Sequence, residues 1–307
     1  GCTFKGGVKG VELWIKGTYS ASLDLVNSTV EGGVFAHDEF SSDPTIVNNG
    51  TLNLTVDTFT TGADDVTLTL ARAENVEGVL KDIKDNAQAT VNNTYYATLA
   101  DAIAAAKTGE TVKVFAGTYT LPSLKAGITI EGEVNADGTP AVLFEGTLSG
   151  TLEDLTMKNI HIKGANAQRW AYAKGALVFE NCIFEATSVY ALHFDGITEG
   201  ATLLYKDCTI IGWAAMSGSP ASCEFVGCTI KDNGSYGVIR TYFDATIENC
   251  TFDVDNANLT DAYQDGIHAV GGAKLVVDNC TNANGDMKDL VNVNANSVVI
   301  LDGVAIK

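Results

Sequence analysis

Arginine occurs three times, at Arg72, Arg169 and Arg240, and proline only four times in 307 residues. Basic side chains number 19 against 38 acidic ones, for a formal charge of −19. A surface of that sign repels phosphate backbones and anionic bilayers, which sets nucleic acid aside as a partner. So few arginines leave little to build a cluster for polyanions unless calcium bridges the charge, which weighs against many pectin-like substrates. No apolar run is long enough to span a bilayer and no basic-then-apolar leader opens the chain. The sequence therefore reads as soluble, without membrane insertion, and as mature, truncated or never targeted by a signal of its own. Zinc spacing is missing as well. The one close cysteine pair, Cys223 and Cys228, has no histidine nearby, so no metal site is expected. What the chain does have is 31 glycines and a wealth of Val, Ile, Thr, Asn and Asp, the composition of a β-rich protein.

The seven cysteines leave two readings open: a disulfide framework with one thiol over, or buried thiols acting as small hydrophobes. Their contexts repeat. "GCTF" at Cys2, "ENCIF" at Cys182, "KDCTI" at Cys208, "VGCTI" at Cys228, "ENCTF" at Cys250 and "DNCTN" at Cys280 place six of the seven in one slot. From Cys182 onward the gaps are 26, 20, 22 and 30 residues, which are solenoid periods. Each unit reads as an alternating strand ending at the cysteine, a turn, a second strand and a variable loop, as in "SCEFVGCTI" followed by "YGVIR". In a parallel β-helix, neighbouring coils lie about 4.8 Å apart and equivalent residues stack into ladders. A small, apolar cysteine suits an inward ladder. The residues before it, Asn181, Asp207, Gly227, Asn249 and Asn279, are types that tolerate left-handed backbone at a tight bend. The motif reads as the corner of a coil, architecture rather than chemistry.

A short amphipathic helix is expected at about 98–108, in "YYATLADAIAAAKTGETVKVFAGTY". Thr98 is a suitable N-cap with Asp101 three residues on, Leu99, Ala102, Ile103 and Ala106 share one face, and Gly109 stops the run. The open end of a β-helix exposes an apolar core and unpaired strand edges, for which such a helix is a fitting plug. This run, followed by "NCTF"-like corners, resembles the right-handed parallel β-helix proteins of the pectin-lyase-like superfamily, closest to its uncharacterised secreted and surface members. The resemblance covers about residues 94–307. It implies an all-β, right-handed parallel β-helix (solenoid) with an N-terminal capping helix, over residues 91–307. For activity it implies less, since the superfamily includes lyases, hydrolases, phage tailspikes and adhesive proteins. Residues 1–90 read as a β-rich segment with the same corner motif. Either they are the last coils of a preceding β-helix or they form a separate β-domain, and the first reading is favoured.

Polysaccharide-active members of that superfamily place carboxylates, sometimes with calcium and a basic residue, on one outward face. The corresponding stretch here is "DAYQDGIHAVGG", offering Asp261, Asp265 and His268, with Arg240 one coil earlier. Residues one coil apart can be about 5 Å from each other, so Arg240, Asp265 and His268 can meet. Three coils span about 14 Å, so His193 and Asp195 are expected elsewhere. Two carboxylates would serve as general acid and base in glycoside hydrolysis, or Arg240 as proton acceptor beside a calcium-held uronate. "DG" resembles an active-site strand of polygalacturonase-like members, but the accompanying motifs of that family are missing. The plainer reading makes Asp265 and Gly266 a turn and His268 a solvated strand residue.

Aromatic residues offer another route. Trp170, Tyr172, Tyr190, Trp213, Tyr236, Tyr242 and Tyr263 fall near the second strands of successive coils or their preceding loops. Flat rings with polar edges stack on sugar faces while Asn and Asp bond the hydroxyls, although any single ring is as well used for packing. The acidic loop "DVDNANLTDAYQD" at 253–265 has the oxygen ligands calcium takes but lacks an EF-hand's glycine and terminal glutamate, so a solvated turn is the simpler reading. Together these features favour a non-catalytic carbohydrate-binding or adhesive β-helix, extracellular or surface-displayed, with a polysaccharide or glycan as partner. The alternatives are a polysaccharide lyase or glycoside hydrolase, and a structural spacer or phage tail fibre, which would place the chain in a virion. No cofactor is expected apart from calcium, and a homo-oligomer is open, a trimer if the chain is virion-derived.

Overall fold

The computed structural model describes the strand backbones Thr3–Lys5, Val11–Ile15, Ala21–Glu31, Val34–Asp38 and Leu52–Phe59. It also describes residues 87–306 apart from 93, 97, 234–236, 256–264 and 295. Two compact units divide the chain, Gly1–Ala105 and Ala106–Lys307.

In the first unit the strands pair in parallel across intervals like those of a solenoid coil. Thr3 aligns with Thr29, Val11 with Val34 and Ala21 with Leu52. A hairpin of Ala89–Val91 and Thr94–Tyr96 precedes the helix Leu99–Ala105. Thr98 caps that helix: its hydroxyl accepts the Asp101 N–H at 3.2 Å and donates to the Asp101 carboxylate at 2.6 Å. The Gln88 side chain takes the Leu99 N–H at 2.8 Å, and Leu99, Ala102 and Ile103 are buried. The helix ends earlier than the expected 98–108. At the start of the second unit, the Glu110 carboxylate accepts the Lys107 N–H at 2.7 Å, diverting a donor that another helical turn would need.

The second unit is a parallel β-helix, a β-solenoid of about seven turns. Each coil contributes strands to three stacked sheets. The first contains Thr111–Val114, Thr129–Gly132, Thr202–Lys206, Ser222–Val226, Ala245–Glu248, Lys274–Asp278 and Val298–Leu301, together with the second halves of Leu148–Lys158 and Gln168–Glu180. The second sheet follows each corner, as in Val142–Glu145, Ile160–Gly164, Thr229–Lys231 and Thr251–Asp253. The third is built from the first halves of Leu148–Lys158 and Gln168–Glu180, the ends of Ile183–Ile197 and Thr209–Met216, and then Gly237–Thr241, Asp265–Ala269 and Val291–Val293. A hairpin through Asp302 and Gly303, both at positive φ, brings Val304–Ile306 antiparallel onto the last first-sheet strand.

Alternation puts one side chain in two inside. Phe179, Tyr205 and Phe225 stack on successive coils with centroids 5.0 and 4.8 Å apart, close to the strand spacing that dictates the ladder. Outside the first sheet, Lys113, Glu131, Lys158, Glu180 and Lys206 occupy one column in register. Their signs alternate, and Lys158 meets Glu180 at 2.6 Å. A one-residue slip would turn the column inward, so its charges and the aromatic stack specify the same register.

The corner motif is architectural. Asn181, Asp207, Asn249 and Asn279 have φ between 49 and 55°, and Gly227 has 64°. Asn181 donates to the Asn159 side chain at 2.9 Å and Asn279 to that of Asn249 at 2.6 Å. The cysteines that follow, together with Cys223, are buried and unbridged, which leaves the small-hydrophobe reading standing for all six described cysteines. Each ladder thiol reaches a carbonyl two residues before the preceding corner, as from Cys208 to Phe179 and from Cys228 to Tyr205, both at 3.3 Å. Among the described residues no helix is long and apolar enough to cross a membrane, and no cluster of metal-ligating side chains occurs.

Candidate functional site

The third sheet carries an open groove of about 330 Å³ on its outer side, lined by Tyr190, His193, Asp195, Trp213, Ala215, Ser217, Arg240 and Tyr242, with Phe194 and Met216 beneath. Register explains the hollow. His193, Ala215 and Arg240 lie in one column on three successive coils. A methyl group between two long side chains leaves room above it.

Buried amides set the wall. Asn166 accepts the Tyr190 N–H at 3.0 Å, and the fully buried Gln168 donates to the His193 carbonyl at 3.4 Å. Between Tyr190 and Leu192 the strand register shifts relative to the next coil, which re-aims the side chains there. The Tyr190 ring stacks on Trp213 at 5.1 Å on one coil step and on His193 at 4.3 Å within its own strand. His193 Nδ1 accepts the Trp170 N–H at 3.1 Å, so a neutral ring carries its proton on Nε2, 3.5 Å from Asp195 Oδ1. Burial pushes the His193 pKa below the ordinary histidine value and the Arg169 charge adds to the drop, against a smaller pull upward from Asp195.

Two guanidiniums flank the groove, each laid over aromatic rings. Arg240 sits 5.0 Å from the Tyr242 ring and 6.0 Å from Trp213, and donates to the Tyr242 hydroxyl. Arg169 lies 4.2 Å over Trp170 and 5.8 Å from Tyr190. Trp170, Tyr172 and Tyr242 are 57, 48 and 45 % exposed, while Trp213 lines the groove but is buried. Tyr172 packs against Gly196, where a Cβ would stand 3.1 Å from the ring. Trp170 holds φ of +51°, a conformation that costs an L residue about 1–2 kcal/mol, and the bond to His193 helps to fix it.

The residues singled out from sequence divide three ways. Trp170, Tyr172, Trp213, Tyr242 and Arg240 come together on this face. Arg240 aligns with His268 on the next coil, but His268 is buried and lies outside the lining, so it is not the solvated strand residue of the plainer reading. The backbone of Asp265 aligns with Gly237. Asp261, Tyr236 and Tyr263 lie outside the described residues. His193 and Asp195, expected elsewhere, share the groove with Arg240. The expectation measured their distance from His268, whereas the groove is centred on Ala215, one coil from each side. Arg169 escaped attention because its neighbour Trp170 carried the aromatic signal.

The chain matches no family model, no curated protein and no solved structure. The pectin-lyase-like resemblance therefore reaches as far as the parallel β-helix itself, and function rests on the groove.

Proposed function

We propose that the third-sheet groove binds a glycan laid along the solenoid axis, without catalysis, and that the protein serves as a carbohydrate-binding or adhesive surface on a cell, in secretion or on a virion. The observation that carries this is the row of rings: Trp170 and Tyr172 exposed on one side, Tyr242 on the other, and a polar hollow between them. From the coil of Trp170 to that of Tyr242 is three strand spacings, about 14 Å, enough for several sugars in line. Rings so placed offer flat apolar platforms, and His193, Asp195, Ser217 and Tyr242 supply directional polar groups around them. Hydrolysis of a glycoside takes two carboxylates, and among the described lining residues Asp195 is the one present.

A second reading, proton abstraction in a polysaccharide lyase, draws on the His193–Asp195 pair beside Arg240. One experiment separates the two. The protein is titrated against an immobilised panel of plant, animal and bacterial polysaccharides, and the supernatants are analysed by mass spectrometry. Binding without new oligosaccharides, weakened about tenfold or more by Trp170→Ala or Tyr242→Ala, is the expected result. Products that vanish in His193→Ala would establish the lyase instead. No retention on any polymer would leave the structural spacer.

A further inference from the structure

Register walls the hollow at the centre of the groove. Ala215 has His193 on the coil before it and Arg240 on the coil after. The same register continues two residues on: the Ser217 N–H reaches the Phe194 carbonyl at 3.0 Å and the Tyr242 N–H the Met216 carbonyl at 3.2 Å, which sets Ser217 between Asp195 and Tyr242. The middle coil thus presents two small side chains, and the coils flanking it stand two strand spacings, about 10 Å, apart. Such a slot admits one side group of a sugar rather than a chain passing through. Its floor is apolar, the Ala215 methyl with Phe194 and Met216 beneath it, and its rim is polar. Three rim groups have a fixed sense. The Asp195 carboxylate accepts, and it lies 3.5 Å from His193 Nε2, beyond a well-formed hydrogen bond. The Ser217 proton goes to the Phe194 and Asp195 carbonyls at 3.1 and 2.9 Å, so its oxygen meets a ligand as an acceptor. The Tyr242 hydroxyl accepts from Arg240 and keeps its own proton to donate.

Resting on the glycan-binding reading above, we infer that the hollow receives an acetamido group, so that the groove selects glycans containing 2-acetamido sugars. One planar group matches each part of the slot. Its methyl covers the Ala215 floor, its N–H is taken by Asp195, and its carbonyl takes the Tyr242 proton. A bare hydroxyl in the same place leaves the apolar floor uncovered. A carboxylate or sulfate would set a second negative charge beside Asp195.

The test compares ligands that differ in one group. Affinities are measured by titration calorimetry for chitotriose against cellotriose and for N-acetyllactosamine against lactose. In at least one pair the acetamido member is expected to bind roughly tenfold tighter, the scale of one buried methyl with one hydrogen bond. Saturation-transfer NMR of that ligand should show its acetamido methyl receiving the most saturation. Ala215→Leu, which fills the slot, should erase the preference, and Asp195→Ala should reduce it, with circular dichroism checking the fold of each. Where leucine bars every glycan or unfolds the chain, Asp195→Ala decides. Equal affinity within both pairs, tighter binding of the hydroxyl members, a methyl that receives little saturation, or a preference untouched by these variants would each overturn the inference. If cellotriose or lactose binds as well as its partner and Trp170→Ala abolishes that binding, glycan recognition stands and acetamido selection alone falls. If no glycan binds, both fall.

Discussion

His193 ties the pH behaviour of the protein to the posture of a single ring. Its Nδ1 accepts the Trp170 N–H, and burial lowers its pKa below the usual value. A histidine whose folded pKa is depressed takes up more protons when unfolded, so stability is lost as pH falls below the unfolded pKa of about 6.5 and through the lower folded one. His161 acts in the same sense: burial lowers its pKa, despite Glu185 at 2.9 Å pulling the other way. The melting temperature should be level above neutrality and decline from about pH 6.5 downward, and His193→Gln should flatten part of that decline. Protonation also removes the acceptor that fixes Trp170, so glycan affinity should weaken over the same range. Affinity indifferent to pH between 7 and 5 would disconnect His193 from the binding face.

At the scale of the element, the corner is where sequence and structure meet most directly. All six described cysteines are buried, and contact with a neighbouring thiol raises the pKa of two in the ladder: that of Cys228 is pushed up to about 12, chiefly by Cys208, and that of Cys250 also to about 12, chiefly by Cys228. Thiolates are the reactive form. Iodoacetamide at pH 8 should therefore leave Cys182, Cys208, Cys223, Cys228, Cys250 and Cys280 unmodified until the protein is unfolded, as read by peptide mass spectrometry. Labelling of any of them in the native protein would contradict the ladder. Gly227 interrupts the row of corner asparagines. It has φ of +64°, and a Cβ there would stand 2.5 Å from the Asp207 carboxylate. Gly227→Ala should destabilise the protein by about 1–2 kcal/mol, and Gly227→Asn by less, because asparagine accepts that backbone and can join its neighbours. Equal urea midpoints for the two variants would count against the corner account.

The corner was legible because its demands fall on residue type: left-handed backbone calls for Asn, Asp or Gly, and the small inward site for Cys. The Asn159–Ile160 corner went unrecognised because isoleucine fills the same inward position and breaks the cysteine tag. Less of the groove was legible. It depends on register shifts near Tyr190 and on Ala215 being small between two large neighbours, and neither leaves a recurring letter in the chain.

The molecule as a whole is strongly acidic. Its charge of −19 opposes compaction at low ionic strength. Raising salt until the screening length shrinks to about 8 Å should raise the melting temperature. A melting temperature that falls with salt would instead assign more weight to half-buried pairs such as Lys158–Glu180.

The most direct test of the central claim is hydroxyl-radical footprinting with and without the tightest-binding glycan of the panel. Trp170, Tyr172 and Tyr242 should lose oxidation on binding, while Tyr119, on the second sheet, should not change. Protection confined to residues away from the third sheet, or none at all under saturating glycan, would contradict the assignment of this face as the binding site.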